Sequence, residues 1–363
     1  MKRRRFLTGS ALTSGAIIAT SALPAPALSK NRLSLSLVTS WPKDFPGLGG
    51  SANRFAETVN TLSENRINIT VFGGGKKVHS LKCNDAVQQG AADIYHSFDH
   101  YFDGKAAAYR FFTSVPFGLT TREYSAWISQ GGGQEIWDAI GGEFGVKHLM
   151  GGNTGPQLGG WFKKPVKAAA DFTGHKVASA GFSAAVLRAL GGTPILMSGA
   201  EIQQALLKNT IDGAEWAGPW ADYQMGFQKA VKNMHFPGLH QPGSMFSIGI
   251  SRKLWDRLPP ADQALFHAAA AQTSNETIAA FTAKSALALK SLRDEHDVTL
   301  VEFDDMTSKK IAAVAGDVLS ATAAADPLSK KAFASFMAFR KSMLDWTGVA
   351  ERSFLNQRGL LKA

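Results

Sequence analysis

Two histidines and a carboxylate stand close together at His96, Asp99 and His100. Their order approaches the inverted zincin pattern, in which two histidines one helical turn apart grip zinc and a neighbouring carboxylate activates water. On that reading the chain is an exported metal-dependent hydrolase, which stands as the alternative. Here, however, the pair follows a short strand-like run, where side chains four residues apart need not share a face. The plainer expectation is a strand end whose polar residues look into a cleft. Gly47-x-Gly49-x-x-Ala52 opens a helix after a strand as a dinucleotide fingerprint does, but the second strand ends Val71-Phe72-Gly73 without the carboxylate that would hold a ribose. A phosphate loop, a nucleophile elbow and a dense carboxylate cluster are all missing from the sequence. Cys83 is the only cysteine, which excludes an internal disulfide and any multi-cysteine metal site. What remains are polar-aromatic clusters at predicted strand ends: Asp99-His100-Tyr101, Asn153 with Gln157, Glu215-Trp216 with Trp220, and His240-Gln241. In an open α/β sheet those ends face the crevice where ligands sit, so the pattern points to binding rather than turnover.

The elements that must position these clusters follow from hydrophobic spacing. Leu33, Leu35 and Leu37 alternate as a strand, Ala52, Phe55, Val59 and Leu62 recur at helical spacing, and Ile67, Ile69 and Val71 alternate again, which makes a βαβ unit. A helix around 81–89 and a strand at 92–97 follow. Thr120 with Glu123, and Ser198 with Glu201, read as capping boxes of two later helices. A strand at 146–150 runs into the Gly-rich stretch 151–160, and a new strand-helix series begins at His175, so a boundary near Gly152 is expected. A buried strand is predicted over 211–216, and an apolar strand over 247–250 returns toward the first unit. Neither Gly nor Pro interrupts the chain between Pro260 and Gly316, which predicts one long helix over about 261–293 able to brace both units. Two further helices close the chain.

The first residues give an address. Lys2-Arg3-Arg4-Arg5-Phe6-Leu7 precedes an apolar stretch from Ala11 to Leu23 and a small-residue end at Ala25-Pro26-Ala27, which reads as an export signal over 1–27 of twin-arginine-like order. Removing it deletes four cations and no anion, lowering the formal charge from +10 to +6. The remaining basicity is scattered, with no dense Lys/Arg run between aromatics, so nucleic acid is excluded as a partner. No later segment approaches the roughly 20 apolar residues of a membrane span. A periplasmic protein is expected.

Several stretches are specific in combination: Thr39-Ser40-Trp41-Pro42-Lys43, Phe45-Pro46-Gly47-Leu48-Gly49, Val115-Pro116-Phe117-Gly118-Leu119, Gly152-Asn153-Thr154 with Gln157, and Gly213-Ala214-Glu215-Trp216 with Gly218-Pro219. Over nearly the whole mature chain the sequence resembles the extracytoplasmic solute receptors of tripartite ATP-independent periplasmic (TRAP) transporters, of the DctP type, and within them the branch that binds 2-oxo acids. The resemblance implies an α/β fold of two lobes joined by hinge strands with a long backing helix. Lobe I would take 31–152 and about 246–285, and lobe II 153–245 and about 286–363 with the C-terminal helices. It implies a receptor without catalysis that hands a small polar solute to membrane subunits. The cleft would be lined by Tyr101, Phe117, Asn153, Gln157, Glu215, Trp216, Trp220 and Gln241, with His79 and Asp99 as individual variations. In the oxo-acid branch a sodium or calcium ion bridges protein and solute, and the matching positions are Gln157, Glu215, the Trp216 carbonyl and Gln241; oxygen donors suit such hard cations.

Against that family pattern the sequence departs in three places. An arginine usually grips the solute carboxylate just after the strand that follows the hinge, and the matching position here is Ala178. Gln241 stands where relatives commonly have glutamate, and Asp99 adds a carboxylate. A lost cation and a gained anion beside Tyr101, Trp216 and Trp220 shift the expected guest from a 2-oxo or hydroxy acid toward a small amine or polyol; Lys176 or His79 neutralising an acid is the other possibility. Relatives also pair through C-terminal helices, and Phe333, Phe336, Phe339 and Met343 are spaced to form such a homodimer surface.

Overall fold

A computed structural model describes residues 32–361. The export signal expected over 1–27 lies outside the described residues. The alternating leucines form β1 (Leu33–Thr39), followed by α1 (Leu48–Leu62), β2 (Ile67–Phe72), α2 (Cys83–Gln88), β3 (Ile94–Ser97), α3 (Thr121–Gln130), α4 (Gly133–Glu143) and the long β4 (Val146–Asn153). Next come β5 (Gly160–Phe162), β6 (Lys176–Ala178), α5 (Gly181–Ala189), β7 (Thr193–Ile195), α6 (Gly199–Leu207), β8 (Gly213–Ala214), α7 (Pro219–Gln224) and β9 (Asn233–Phe236). β10 (Met245–Ser251), α8 (Arg252–Trp255), α9 (Pro260–Asp294), β11 (Thr299–Glu302), α10 (Asp305–Ala323) and α11 (Pro327–Thr347) complete the order used here.

The strands make two sheets. One has the order β2-β1-β3-β10-β4, with β1 parallel to β2 and β3 and with β10 antiparallel to both β3 and β4. The other runs β11-β9-β5-β8-β6-β7. The chain leaves the first sheet through β4, returns through β10 and leaves again along α9. These are the passages about which two lobes can move.

Helix α9 has 35 residues, roughly 50 Å at 1.5 Å per residue. Its Phe266, Ala269 and Ala270 pack into the core under the first sheet with Phe55 and Val59, while Phe281 and Leu292 pack into the second core with Trp161 and Trp216. One rigid rod therefore sits in both cores. The capping box at Thr120 is formed in full, with Glu123 N–H on Thr120 Oγ1 at 3.4 Å and Thr120 N–H on Glu123 Oε2 at 2.7 Å. The strand expected over 211–216 is limited to Gly213–Ala214, because the chain turns out of the sheet at Glu215.

The C-terminal segment corrects one expectation. Helix α11 packs on the first lobe, not the second: Phe336 is fully buried beside Trp127 at 5.1 Å and Tyr124 at 5.7 Å. Phe333, Phe339 and Met343, each half-buried, pack against the same core.

Asp99 is also corrected. It is fully buried in the first lobe, where it accepts hydrogen bonds from Tyr95 Oη at 3.0 Å, Trp137 Nε1 at 2.7 Å and Ser247 Oγ. His148 on β4 reaches the same Tyr95 hydroxyl at 2.9 Å. The ring of Tyr95 lies so close over β10 that a Cβ at Gly249 would fall 2.0 Å from it. Asp99 thus pins the 3-10 turn Asp99–Phe102 to both crossing strands and contributes no charge to a cleft.

Burial pushes the Asp99 carboxyl up to about 7, against the pull of its three donors. The unfolded chain releases this proton near pH 4, so the folded state holds it across pH 4–7; the group's stabilisation is complete at the acid end and is lost as pH rises through 7. Asp99→Asn, which keeps a donor and an acceptor here, should therefore gain on the wild type between pH 5 and 7 by up to about 1.4 kcal/mol per pH unit. Urea midpoints across that range check it, and a difference that does not vary with pH contradicts it.

Candidate functional site

The carboxylate of Glu215 sits at the centre of the second lobe's inner face. Because β8 ends at Ala214, the chain turns Glu215 across the end of β6, where its N–H donates to the Ala178 carbonyl at 3.0 Å. Its Oε2 accepts from Ser179 Oγ at 2.9 Å and from Ser183 Oγ on α5. Its Oε1 lies 2.8 Å from His240 Nε2, although the ring N–H is not aimed at it. Burial alone would push the Glu215 carboxyl up. The close approach of His240 and the two serine hydroxyls outweigh it and hold the group below the ordinary glutamate range, so it is ionised at neutral pH.

Two carboxamides approach from the crossing segments. Gln157 Nε2 donates to Thr154 Oγ1 at 2.9 Å and to Ser244 Oγ at 3.2 Å, and Gln241 Nε2 donates to the same Ser244 Oγ at 2.6 Å. Thr154 Oγ1 is itself fixed by Ser244 N–H at 3.0 Å. With both amide nitrogens committed, neither amide oxygen has a hydrogen-bond partner among the described residues. A donor set of one ionised carboxylate and two amide oxygens is the hard-oxygen kind that sodium and calcium prefer. The residues present therefore fit such a cation.

The cleft between the lobes is lined by Phe98, His100 and Tyr101 from the first lobe and by Ser179, Ala180, Leu196, Met197, Ile202, Glu215, Trp216 and Gln241 facing them. No Lys or Arg is among them. The Tyr101 hydroxyl lies against the Trp216 indole, which also meets Phe45 of the first lobe with ring centres 5.5 Å apart. The free space there is about 20 Å³, on the scale of a single water, so a larger guest enters only if the two walls part.

Of the residues expected at the site, Tyr101, Glu215, Trp216 and Gln241 line this cleft, and Gln157 is tied to Gln241 through Ser244. The others lie elsewhere. Trp220 stands edge-on to Phe281 at 5.0 Å with Lys284 Nζ 5.7 Å above its ring, so it braces α7 against α9. Phe117 packs in the core of the second lobe and is fixed by its backbone, its N–H on the Leu239 carbonyl at 2.8 Å and its carbonyl on Arg340. Asn153 Oδ1 accepts from Gly155 N–H at 3.0 Å and shapes the crossing turn. His79 is exposed, caps a 3-10 turn through Leu81 N–H at 3.2 Å and faces Glu201 across the rim. Lys176 is exposed at the far end of β6, and Ala178 is fully buried, so neither brings a cation to the guest.

The hydrolase trio is pulled apart. His96 bonds Ser51 Oγ at 3.2 Å behind β3, Asp99 faces the first core, and only His100 reaches the cleft. Burial pushes both imidazoles down to about 3. Ser179, Ser183 and Ser244, which orient the oxygen donors, were not foreseen. The one sequence cue to the first two was their spacing of four across a strand-to-helix turn.

Residues 37–326 match the family described as bacterial extracellular solute-binding protein, family 7. A monocarboxylate 2-oxoacid-binding periplasmic protein from Nostoc sp. is 33% identical over 320 residues, covering 88% of this chain and 87% of its own. A TRAP transporter solute-binding protein from Bordetella bronchiseptica, a mixed-occupancy dimer with copurified calcium and picolinate, superposes with a TM-score of 0.88 at 30% identity, covering 90% of this chain and 97% of its own. A TRAP solute-binding protein from Pseudoalteromonas atlantica with bound sodium and pyruvate gives 0.86 at 30% identity, covering 90% and 99%.

The depressed Glu215 carboxyl yields a prediction. Its stabilisation is present above the ordinary glutamate pKa and is lost as pH falls through the folded value. Ser179→Ala with Ser183→Ala should cost about 2–4 kcal/mol at pH 7, since two hydrogen bonds to a charged group go, and less at pH 4. Denaturant melts at the two pH values check this; an equal cost at both contradicts it.

Proposed function

The chain belongs to family 7 of the bacterial extracellular solute-binding proteins, and we propose that its guest is a small 2-oxo or 2-hydroxy monocarboxylate captured through a hard cation. As a member of this family it is a periplasmic receptor that binds a small solute and works with the membrane subunits of a TRAP transporter. The observation that carries the proposal is the cleft's charge pattern: an ionised Glu215 and two unpartnered amide oxygens, with no guanidinium or ammonium lining it. A carboxylate guest brought there alone would add a second buried anion, at a cost of several kcal/mol. A cation held by Gln157, Glu215, the Trp216 carbonyl and Gln241 supplies the missing positive charge. Pyruvate and picolinate, the guests of the two relatives, share one feature: a carboxylate beside an oxygen or nitrogen donor that closes a five-membered chelate on a metal ion. That feature defines the class proposed here.

The amine reading loses half its basis, because Asp99 is not in the cleft. The guest leaves unchanged, as the solute of a binding receptor does. Calorimetry should find micromolar or tighter binding of pyruvate with calcium present, weakened at least about tenfold by a chelator or by Glu215→Gln, with the solute recovered intact. Equal affinity with and without chelator contradicts the cation bridge, and binding of small amines in preference to acids contradicts the solute class. The leader is read as twin-arginine: Arg3→Lys with Arg4→Lys should hold the precursor in the cytoplasm, and continued export seen by fractionation would assign an ordinary secretory signal instead.

A further inference from the structure

One group at the cleft is used by nothing described so far. His100 is 6% exposed, its backbone N–H is fixed by Thr113 Oγ1 at 3.0 Å, and its ring is held between Phe98 at 5.4 Å and Tyr101 at 4.9 Å. Among the described residues neither ring nitrogen has a hydrogen-bond partner, and the ring lines the cleft. Burial, with Arg110 nearby, pushes the imidazole down to about 3, so at neutral pH it is uncharged and carries one N–H to donate.

Across the cleft the ring meets the start of α5. This helix has nine residues and no side-chain cap: Ala180 stands at the N-cap, where Ser, Thr, Asp or Asn would accept from the first turn. The amides of Gly181, Phe182 and Ser183 thus have no intrahelical acceptor, and they carry the positive end of the helix dipole. Glu215 takes the Ser179 and Ser183 hydroxyls but none of these amides. Gly181 has a φ of +60°, and a Cβ there would fall 2.8 Å from His100 Cβ and 3.0 Å from Nδ1. Any other residue would push the imidazole away from the helix end.

We propose that His100 and the uncapped first turn of α5 together receive the carboxylate of the guest, in the place of the guanidinium that Ala178 does not supply. The inference rests on the cation-bridged reading above and deepens it. The guest's carboxylate lies between the cation on one side and these neutral donors on the other. A buried anion then gains directed N–H groups without a second formal charge in the cleft.

The test is calorimetry of the full mature chain with pyruvate at saturating calcium. His100→Phe, which keeps the ring volume and removes the donor, should weaken binding at least about tenfold, while His100→Gln, which keeps an N–H, should stay within about threefold. Wild-type affinity in His100→Phe overturns the inference and leaves the cation bridge standing. A wild type that binds neither pyruvate nor picolinate overturns both. Because His100 is buried, the unmutated protein gives a second readout. With isotope-labelled histidine, the His100 ring nitrogen resonances should move when pyruvate is added to the calcium-loaded protein, and resonances that stay still overturn the inference.

Discussion

A buried carboxylate partnered only by a histidine and two serine hydroxyls is the constraint around which this cleft is built. Glu215 is removed from water yet kept ionised by two serine hydroxyls and a histidine. These partners come from the residue after β6, from α5 and from the loop before β10, so three segments of the second lobe converge to keep one negative charge in place. Their convergence also decides what a guest must bring. On the cation-bridged reading proposed above, a site with a fixed anion and free amide oxygens takes an acid together with a metal ion; the two similar receptors hold picolinate with calcium and pyruvate with sodium.

The parts that carry motion are distinct from those that carry charge. β4 and β10 pass between the lobes side by side, and Asp99 joins them to the turn that carries His100 and Tyr101. Helix α9 contributes aromatic and aliphatic side chains to both cores. Closing the lobes carries the Tyr101 turn toward Trp216, and expelling water strengthens each polar contact made there.

Much of this was legible in the sequence. The period-2 and helical spacings gave β1, α1 and β2, because a strand or helix with one buried face must repeat its apolar residues, and the lack of Gly and Pro between Pro260 and Gly316 gave the long α9 to within one residue at each end. Glu215, Trp216, Tyr101 and Gln241 were found because polar and aromatic groups at strand ends face the crevice. Trp220, Phe117, Asn153 and Asp99 were misplaced for one reason: sequence position gives the element but not the face, and each of these turns its side chain into a core or a turn. The second lobe was read least well. Its strands are two to four residues long, too short to show a period, and Glu215 leaves the sheet where a strand over 211–216 was expected to continue. Nor does a sequence show that Ala180 leaves a helix uncapped at the cleft.

The most direct measurement of the central claim is anomalous scattering from crystals grown with calcium and pyruvate. The account predicts a calcium peak bounded by the Glu215 carboxylate, the Trp216 carbonyl and the oxygens of Gln157 and Gln241, with the solute's carboxylate and oxo group on the same ion. A solute held with no cation, by a lysine or arginine drawn in from elsewhere, would contradict it.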